Sequence, residues 1–402
     1  MSAGLSRARL GRMHEVLARH VEAGALPGMV TLVCRRGQVF VDTIGSTAIG
    51  GDEPMRPDTL FRITSMTKPV TAVATMMLVE ECVLRLDDPV ERLLPELADR
   101  PVLTRPDGPL DDTVPAERPI TVRDLLTFTS GYGLVLPTDG GEPPIMRAAA
   151  DLELGFGPPT PRTPHDPDEW LRRLGSLPLA CQPGGSWLYD VGSQVLGVLL
   201  ARATGQPLDV FLRERIFHPL GMRDTGFTVP GDDVDRLPPA YGVDDATGAL
   251  VVADDPADSV WARPPAFPSG GSGLVSTAED LLQLGLMMLE GGRCGSERVL
   301  SRPTVEAMTT DQLTPAQKAG TGFLPGWWDA MGWGLGLAVV TARVSGPSTP
   351  GRFGWDGGWG TSWWVDPAED LVGVLLTQRQ AFPQLSPTYL DFWTSVYQAI
   401  DD

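Results

Sequence analysis

The chain has 402 residues, of which 42% are hydrophobic and 21% charged, which suits a folded protein with a large core and excludes a disordered, collagen-like or coiled-coil chain. Its formal net charge is −19 and its only lysines are Lys68 and Lys318, which argues against nucleic acid or an anionic membrane surface as a partner. No run approaches the roughly 18 to 20 uncharged apolar residues of a membrane helix, and the N-terminus has no apolar signal region. We therefore expect a soluble, cytoplasmic protein.

Strand patterns lie near both ends of the chain. A first amphipathic helix precedes two β-rich runs in residues 28–45, which predict a hairpin. Two further strand runs flank a turn at residues 367–370, and a last helix follows with Pro387 at its first position. Strands and helices at both ends predict one sheet to which both ends contribute.

The middle of the chain is different in character. Helical periodicity dominates residues 67–86 and 192–217, and strand signals are sparse between them. Further along, Ser276 and Glu279 have the spacing of a capping box ahead of an apolar helix. This part of the sequence therefore predicts a mostly helical insertion.

Together these patterns predict an α/β (α+β) fold in which an antiparallel sheet is flanked by helices. Residues 1–68 and 266–402 are expected to form the sheet domain. Residues 69–265 are expected to form the inserted helical domain, with the active site at the junction.

The sequence offers little for histidine or metal chemistry. It has no Gly-x-Ser-x-Gly elbow, and its histidines at positions 14, 20, 165 and 218 have surroundings typical of surface residues. Its four cysteines are far apart without Cys-x-x-Cys spacing, so we expect buried, reduced thiols. No metal-ligand cluster or phosphate-binding glycine loop occurs, and we predict no metal and no cofactor.

Ser65 and Lys68 form the only Ser-x-x-Lys of the chain, at the start of an apolar helix. Positions i and i+3 share one face of a helix, so the amine of Lys68 can assist the hydroxyl of Ser65 in the absence of histidine. The N–H of Ser65 lies at the positive end of the helix dipole and can stabilise an oxyanion. This arrangement is typical of a nucleophile, although an ordinary helix start can show the same four residues.

The sequence around this tetrad, LFRITSMTKPVTAVATMMLVEE at residues 60–81, strongly resembles the active-serine helix of class C β-lactamases and their relatives. Those relatives include serine D-Ala-D-Ala peptidases of the penicillin-binding type and esterases of the family VIII carboxylesterase type. Residues 120–133, 216–227 and 270–284 resemble further segments in the family's order, although Phe128 stands where histidine is frequent. The resemblance implies the β-lactamase/transpeptidase-like fold over nearly the whole chain.

The resemblance also assigns a second catalytic element. The family's Tyr-x-Asn corresponds to Tyr189, Asp190 and Val191, so the tyrosine is kept and the asparagine is lost. A neighbouring ammonium favours the phenolate form of a tyrosine, which can then take the proton of Ser65 and pass it to the leaving group. Tyr189 is therefore the expected general base.

A third family element, Lys-Thr-Gly, corresponds to Trp355, Asp356 and Gly357. The resemblance implies that these residues edge the substrate site and that the N–H groups of Ser65 and Gly358 form the oxyanion hole. Glycine permits the close backbone approach that such a role requires. Of the seven tryptophans between residues 327 and 364, Trp355 alone is expected to line the site.

The departures from the family bear on the substrate. In β-lactamases the lysine strand supports recognition of the antibiotic's carboxylate, and an indole with a carboxylate cannot replace an ammonium facing an anion. We therefore expect an esterase that acts on a small or medium neutral ester through a Ser65 acyl-enzyme. The alternatives are a β-lactamase or D-aminopeptidase, an acyltransferase on the same machinery, and a non-catalytic binding protein; the oligomeric state is left open.

Overall fold

Strands from both ends of the chain form the main sheet. The computed structural model describes residues 4–136, 141–156, 163–319, 323–344, 346, 348–381 and 386–402. In these ranges the strands are β1 (Gly28–Arg35), β2 (Gln38–Gly45), β3 (Phe61–Arg62), β4 (Pro101–Leu103), β5 (Thr113–Pro115), β6 (Ala240–Val243), β7 (Leu250–Asp254), β8 (Val275–Ser276), β9 (Arg293–Cys294), β10 (Glu297–Arg298), β11 (Met331–Trp333), β12 (Ala338–Val340), β13 (Phe353–Gly357), β14 (Thr361–Asp366) and β15 (Leu371–Thr377).

Within the described residues the main sheet has seven strands in the order β11-β12-β13-β14-β15-β1-β2, all antiparallel. The register places Met29 of β1 opposite Thr377 of β15. The predicted hairpin joins β1 to β2 through Arg36 and Gly37, which both have positive φ values, as a two-residue hairpin turn requires. The two ends of the chain therefore share one sheet, as the sequence predicts.

Helices cover the sheet and fill the middle of the chain. The helices of the described residues are α1 (Arg7–Glu22), α2 (Thr67–Glu80), α3 (Val122–Leu126), α4 (Pro144–Asp151), α5 (Pro167–Leu174), α6 (Val191–Thr204), α7 (Leu208–Leu212), α8 (His218–Leu220), α9 (Ala278–Leu289), α10 (Arg302–Met308), α11 (Pro315–Ala319) and α12 (Pro387–Gln398). A π-helical stretch, Arg213–Phe217, joins α7 to α8. In the described ranges no single helix is long and apolar enough to span a membrane; one pair bent by 82°, Val191–Thr204 with Leu208–Leu220, meets the length and composition only together.

The central strands are buried on both faces because helices cover each face. Met29 and Val33 of β1 belong to a core cluster shared with α1 and α12, whereas Val30 and Leu32 belong to a second cluster that includes α9. This alternation follows the two-residue period of a strand. The sheet is therefore a rigid layer on which β13 carries residues of the site.

The α2 helix lies at the centre of the helical region and packs against α6. Its residues from Thr67 to Leu78 are all buried, which explains why its sequence is apolar on all sides. Lys68 therefore stands at the start of a helix that cannot shift without disturbing the core. The division of the chain into domains at residues 68 and 266 stays a prediction.

The helix after β8 begins one residue later than predicted. Its N-cap is Thr277, whose side chain accepts a hydrogen bond from the backbone N–H of Asp280. Ser276 instead lies in β8, and its Oγ lies 2.8 Å from Oγ1 of Thr225. The predicted capping pair of Ser276 and Glu279 is therefore wrong, because strand pairing and a buried hydroxyl contact occupy Ser276.

Two expectations about single residues also differ from the structure. Cys34 is buried as expected, but Cys82 is exposed, and Cys181 and Cys294 are half-buried. His165 was expected at the surface, yet it is buried, with its Nε2 3.2 Å from the carbonyl oxygen of Leu152. Composition alone does not reveal this burial.

Candidate active site

Ser65 lies in a strained turn just before α2. The turn is a single 3₁₀ turn, Thr64–Met66, and Thr64 has a φ of +44°, in the left-handed region that costs energy for a β-branched residue. Thr64 and Met66 are buried, whereas Ser65 is half-exposed. The turn thus presents the Ser65 hydroxyl at the surface while it fixes the residues on both sides.

Lys68 is fully buried and surrounded by oxygen atoms. Its Nζ donates hydrogen bonds to Ser65 Oγ at 3.0 Å and to the carbonyl oxygen of Gly271 at 2.8 Å. The Asp190 Oδ2 atom lies 3.5 Å from the same nitrogen. Two hydrogen-bond acceptors and one carboxylate oxygen thus surround the ammonium group. Because Lys68 donates to Ser65, the hydroxyl proton of Ser65 is free for another acceptor.

Tyr189 lies next to Lys68. The Lys68 Nζ lies 4.5 Å from the centre of the Tyr189 ring. Trp355 Nε1 donates a hydrogen bond to Tyr189 Oη at 2.9 Å. A donor at this oxygen orients the phenol and stabilises negative charge on it. Trp355 of β13 therefore takes part in the site through its indole N–H as well as through its apolar ring.

The β13 strand approaches the turn of Ser65 closely. A Cβ atom on Gly357 would lie 2.5 Å from the carbonyl oxygen of Ile63 and 2.7 Å from Thr64 Oγ1, so only glycine fits there. Gly358 follows directly, and its carbonyl oxygen accepts a hydrogen bond from Ala381 N at 3.1 Å. The close approach suits an oxyanion hole made by the N–H groups of Ser65 and Gly358, a role that stays a prediction.

Asp356 follows Trp355 in β13 but its carboxylate lies elsewhere. Its Oδ1 accepts hydrogen bonds from Ser362 Oγ at 2.6 Å and from Trp364 Nε1 at 2.8 Å. Trp393 of α12 also donates to Ser362 Oγ, at 3.1 Å, so this group lies on the sheet face that α12 covers. Neighbouring side chains of a strand point to opposite faces. The structure therefore brings Trp355, and not the Asp356 carboxylate, to the site.

Two features of the site are absent from the sequence-based predictions. One is Asp190, which the sequence analysis treats only as the middle residue of the altered Tyr-x-Asn. The signal that could have identified it is its position directly after Tyr189, the expected base. The other is the aromatic cluster around Tyr189 and Trp355, with ring centres 4.8 to 6.1 Å from one or the other. Its further members are Phe128, Trp187, Phe323, Trp327 and Trp333.

The titratable groups of the described residues include no metal site. No group of three or more His, Cys, Asp or Glu side chains is arranged to hold a metal ion in those ranges. The candidate site brings together a hydroxyl, an amine and a phenol, groups that suit nucleophilic acyl transfer.

Comparison with known proteins identifies the family of the chain. The sequence model of the beta-lactamase family matches residues 13–392. The chain belongs to the beta-lactamase family. The predicted family and its fold are thereby confirmed.

Three similar proteins cover almost the whole chain. The Mycobacterium tuberculosis protein Rv1367c is 41% identical over 364 residues, which are 89% of this chain and 87% of that protein. Esterase EstB of Burkholderia gladioli is 33% identical over 406 residues, covering 96% of this chain and 94% of that protein. Among solved structures, EstCE1, described as a hydrolase with promiscuous acyltransferase activity, matches with a TM-score of 0.79 and 28% identity over 97% of this chain and 99% of that chain.

Proposed function

We propose that the protein is a serine esterase that cleaves a small or medium neutral carboxylic ester through an acyl-enzyme on Ser65. The observation that carries this proposal is the position of Lys68, whose Nζ donates a hydrogen bond to Ser65 Oγ and lies 4.5 Å from the centre of the Tyr189 ring. The similarity to esterase EstB supports an ester as the substrate. The protein is a serine hydrolase of the beta-lactamase family.

The proposed reaction has two steps. Ser65 Oγ attacks the ester carbonyl while its proton passes to the phenolate oxygen of Tyr189, and the N–H groups of Ser65 and Gly358 stabilise the oxyanion. The alcohol leaves with the proton from Tyr189, and an acyl-enzyme remains. Water then attacks the acyl carbonyl, gives a proton to Tyr189, and Ser65 recovers its proton as the carboxylic acid leaves. Lys68 donates a hydrogen bond to Ser65 Oγ and so stabilises the negative charge that develops on that oxygen as its proton leaves.

The surroundings of the nucleophile favour a neutral, apolar substrate. The donor to Tyr189 is an uncharged indole, so β13 offers no ammonium to a substrate carboxylate. Beside Tyr189, the indole of Trp355 packs against the half-buried rings of Phe323 and Trp327. Aromatic walls bind apolar acyl or alcohol groups well.

Covalent labelling tests the nucleophile. Incubation with a p-nitrophenyl alkylphosphonate should add one phosphonyl group to the wild-type protein and none to Ser65→Ala, as measured by intact-mass spectrometry. Ser176→Ala is the matched control, because Ser176 is an exposed serine after α5 and its loss should leave labelling unchanged. Labelling of Ser65→Ala at the wild-type rate would rule out Ser65 as the nucleophile.

Substrate rates test the reaction class. Turnover of p-nitrophenyl esters of graded chain length should exceed turnover of nitrocefin, and Ser65→Ala should lack both activities. Nitrocefin turnover above that of every ester would favour a β-lactamase instead. No labelling and no turnover would favour a binding protein.

An acyltransferase is the second candidate, because EstCE1 carries promiscuous acyltransferase activity by its description. In that case an added alcohol or amine, rather than water, would take the acyl group from Ser65. Product analysis by mass spectrometry in the presence of a short alcohol distinguishes the two: a new ester in excess over free acid supports the transferase, and free acid alone supports the esterase.

A further inference from the structure

The charge balance beside the nucleophile depends on one carboxylate. The side chain of Lys68 is 0% exposed and that of Asp190 is 7% exposed, and their charged atoms lie 3.5 Å apart. A buried ammonium without a counter-charge is costly, so the pair is close to neutral as a unit. Gly271 and Ser65 supply uncharged oxygen atoms only.

The Asp190 side chain does not cap the helix that follows it. Asp190 is the N-cap residue of α6, where aspartate ordinarily accepts a hydrogen bond from the first turn of the helix. Its side chain makes no such bond, and its Oδ1 is buried without a hydrogen-bond partner among the described residues. A residue that breaks a local rule next to a nucleophile is a candidate for a functional role.

Two groups near the aromatic cluster could be expected to attract a substrate carboxylate, and neither offers it an unopposed positive charge. Trp355 is a neutral donor to Tyr189, and Lys318, whose ammonium lies 5.7 Å from the Trp328 ring centre, forms an ion pair with Asp311. A substrate carboxylate next to Ser65 would therefore meet a Lys68 charge that Asp190 already offsets. A unit charge roughly 8 Å away, at an effective dielectric constant near 20, changes binding by about thirtyfold.

We propose that Asp190 is a specificity-determining residue that cancels the charge of Lys68 and so selects neutral esters against esters that carry a carboxylate. The inference rests on the proposed esterase function. The negative charge of Asp190, in the ion pair beside Ser65, would thus add to the effect of the missing lysine in β13. Both would disfavour a substrate carboxylate.

The test compares two esters of similar length, p-nitrophenyl butanoate, which is neutral, and p-nitrophenyl hemisuccinate, which is anionic. In Asp190→Asn the amide oxygen can still accept from Lys68, but the negative charge is gone. The ratio of kcat/KM for the anionic ester to that for the neutral ester should rise by about tenfold or more over wild type. A purely structural role for Asp190 would lower both rates and leave the ratio unchanged.

Asp370→Asn is the matched control for overall charge. Asp370 is an exposed residue in the turn after β14, at the end of the sheet opposite to Gly357, and its replacement removes the same single charge from the protein. This variant should keep the wild-type ratio. Should Asp190→Asn fail to fold, Asp190→Ser also removes the charge and leaves a side-chain oxygen, with circular dichroism and Tm to verify the fold.

The outcomes separate this inference from the proposed function. Wild-type protein without ester turnover and without phosphonate labelling contradicts the esterase itself. Wild-type turnover of the neutral ester, with an unchanged ratio in both folded Asp190 variants, contradicts only the role of Asp190. An equal rise of the ratio in Asp370→Asn would assign the effect to net charge and overturn the inference.

Discussion

Two carboxylates flank the catalytic elements in the sequence, and the structure uses them in opposite ways. Asp190 directly follows Tyr189 and lies 3.5 Å from Lys68, with one oxygen lacking a hydrogen-bond donor among the described residues. Asp356 directly follows Trp355, yet its Oδ1 is held by Ser362 and Trp364 under α12. The difference shows that a side chain does not reach the candidate site merely because its residue is adjacent in sequence to one that does; the local backbone decides.

The ion pair of Lys68 and Asp190 gives the largest expected effects. Lys68→Met should lower kcat/KM for a neutral ester by about a thousandfold or more, because the ammonium contacts the nucleophile. It should also lower the free energy of unfolding by about 3 kcal/mol, because Asp190 is left as a buried, unpaired charge. Urea unfolding and p-nitrophenyl butanoate kinetics measure the two effects.

A double variant sharpens this expectation. Adding Asp190→Asn to Lys68→Met removes the unpaired charge, so stability should recover while activity stays low. Recovery of activity in the double variant would show that Lys68 serves only to neutralise Asp190 and would contradict its role beside Ser65.

The two indole donors allow a direct comparison of the two faces of the sheet. Trp355→Phe keeps an aromatic ring but loses the N–H that donates to Tyr189, and kcat/KM should fall by about a hundredfold, or about 2.7 kcal/mol in transition-state stabilisation. Trp364→Phe removes the N–H that donates to Asp356, and activity should remain within about twofold of wild type. Equal losses in the two variants would mean that packing, and not the hydrogen bond to Tyr189, is what matters.

The sequence predicts the sheet well and the site in part. Alternating and continuous apolar runs identify β1, β2, β14 and β15, because burial against a helix layer imposes those patterns. The spacing from Ser65 to Lys68 predicts their contact, since three residues make about one helical turn. These features depend on residues that are close together in the sequence, so the sequence alone predicts them.

Features that depend on tertiary contacts were not predictable in the same way. The approach of Asp190 to Lys68 joins residues 122 positions apart, and no spacing rule connects them. The capping error at Ser276 has a similar origin, because pairing of β8 with β3 decides where the following helix begins. The aromatic cluster consists of residues from four separate segments, so the sequence reveals the aromatic residues but not that they contact one another.

A third buried carboxylate, Asp280 in α9, has no cationic partner among the described residues, and its pKa is raised. Burial raises the pKa of Asp280 to about 6, although hydrogen bonds from Thr225 and from the Asp224 N–H oppose the shift. No ion pair of Asp280 occurs among the described residues. Because the folded-state pKa lies above the unfolded value, Asp280 contributes stability at low pH that is lost as the pH rises through about 6.

Asp280→Asn should therefore gain stability relative to wild type between about pH 4 and pH 7, by roughly 2 kcal/mol. The asparagine stays neutral and its oxygen can still accept from Thr225. Thermal unfolding at several pH values measures the difference, and Glu279→Gln, an exposed neighbour on the same helix, is the control that should show little change. A constant difference across this range would mean that folding does not raise the pKa of Asp280.

Asp356→Asn should have the smallest effect on catalysis and completes the comparison with Asp190. Its carboxylate is buried and bonded under α12, so its loss should lower the free energy of unfolding by about 1 kcal/mol through weaker hydrogen bonds to Ser362 and Trp364. The ratio of anionic to neutral ester turnover should stay within about twofold of wild type, because the charge lies on the far face of β13. A shift of that ratio as large as in Asp190→Asn would mean that charge acts on the substrate through the sheet, and the specificity would then belong to both carboxylates rather than to the one that contacts Lys68.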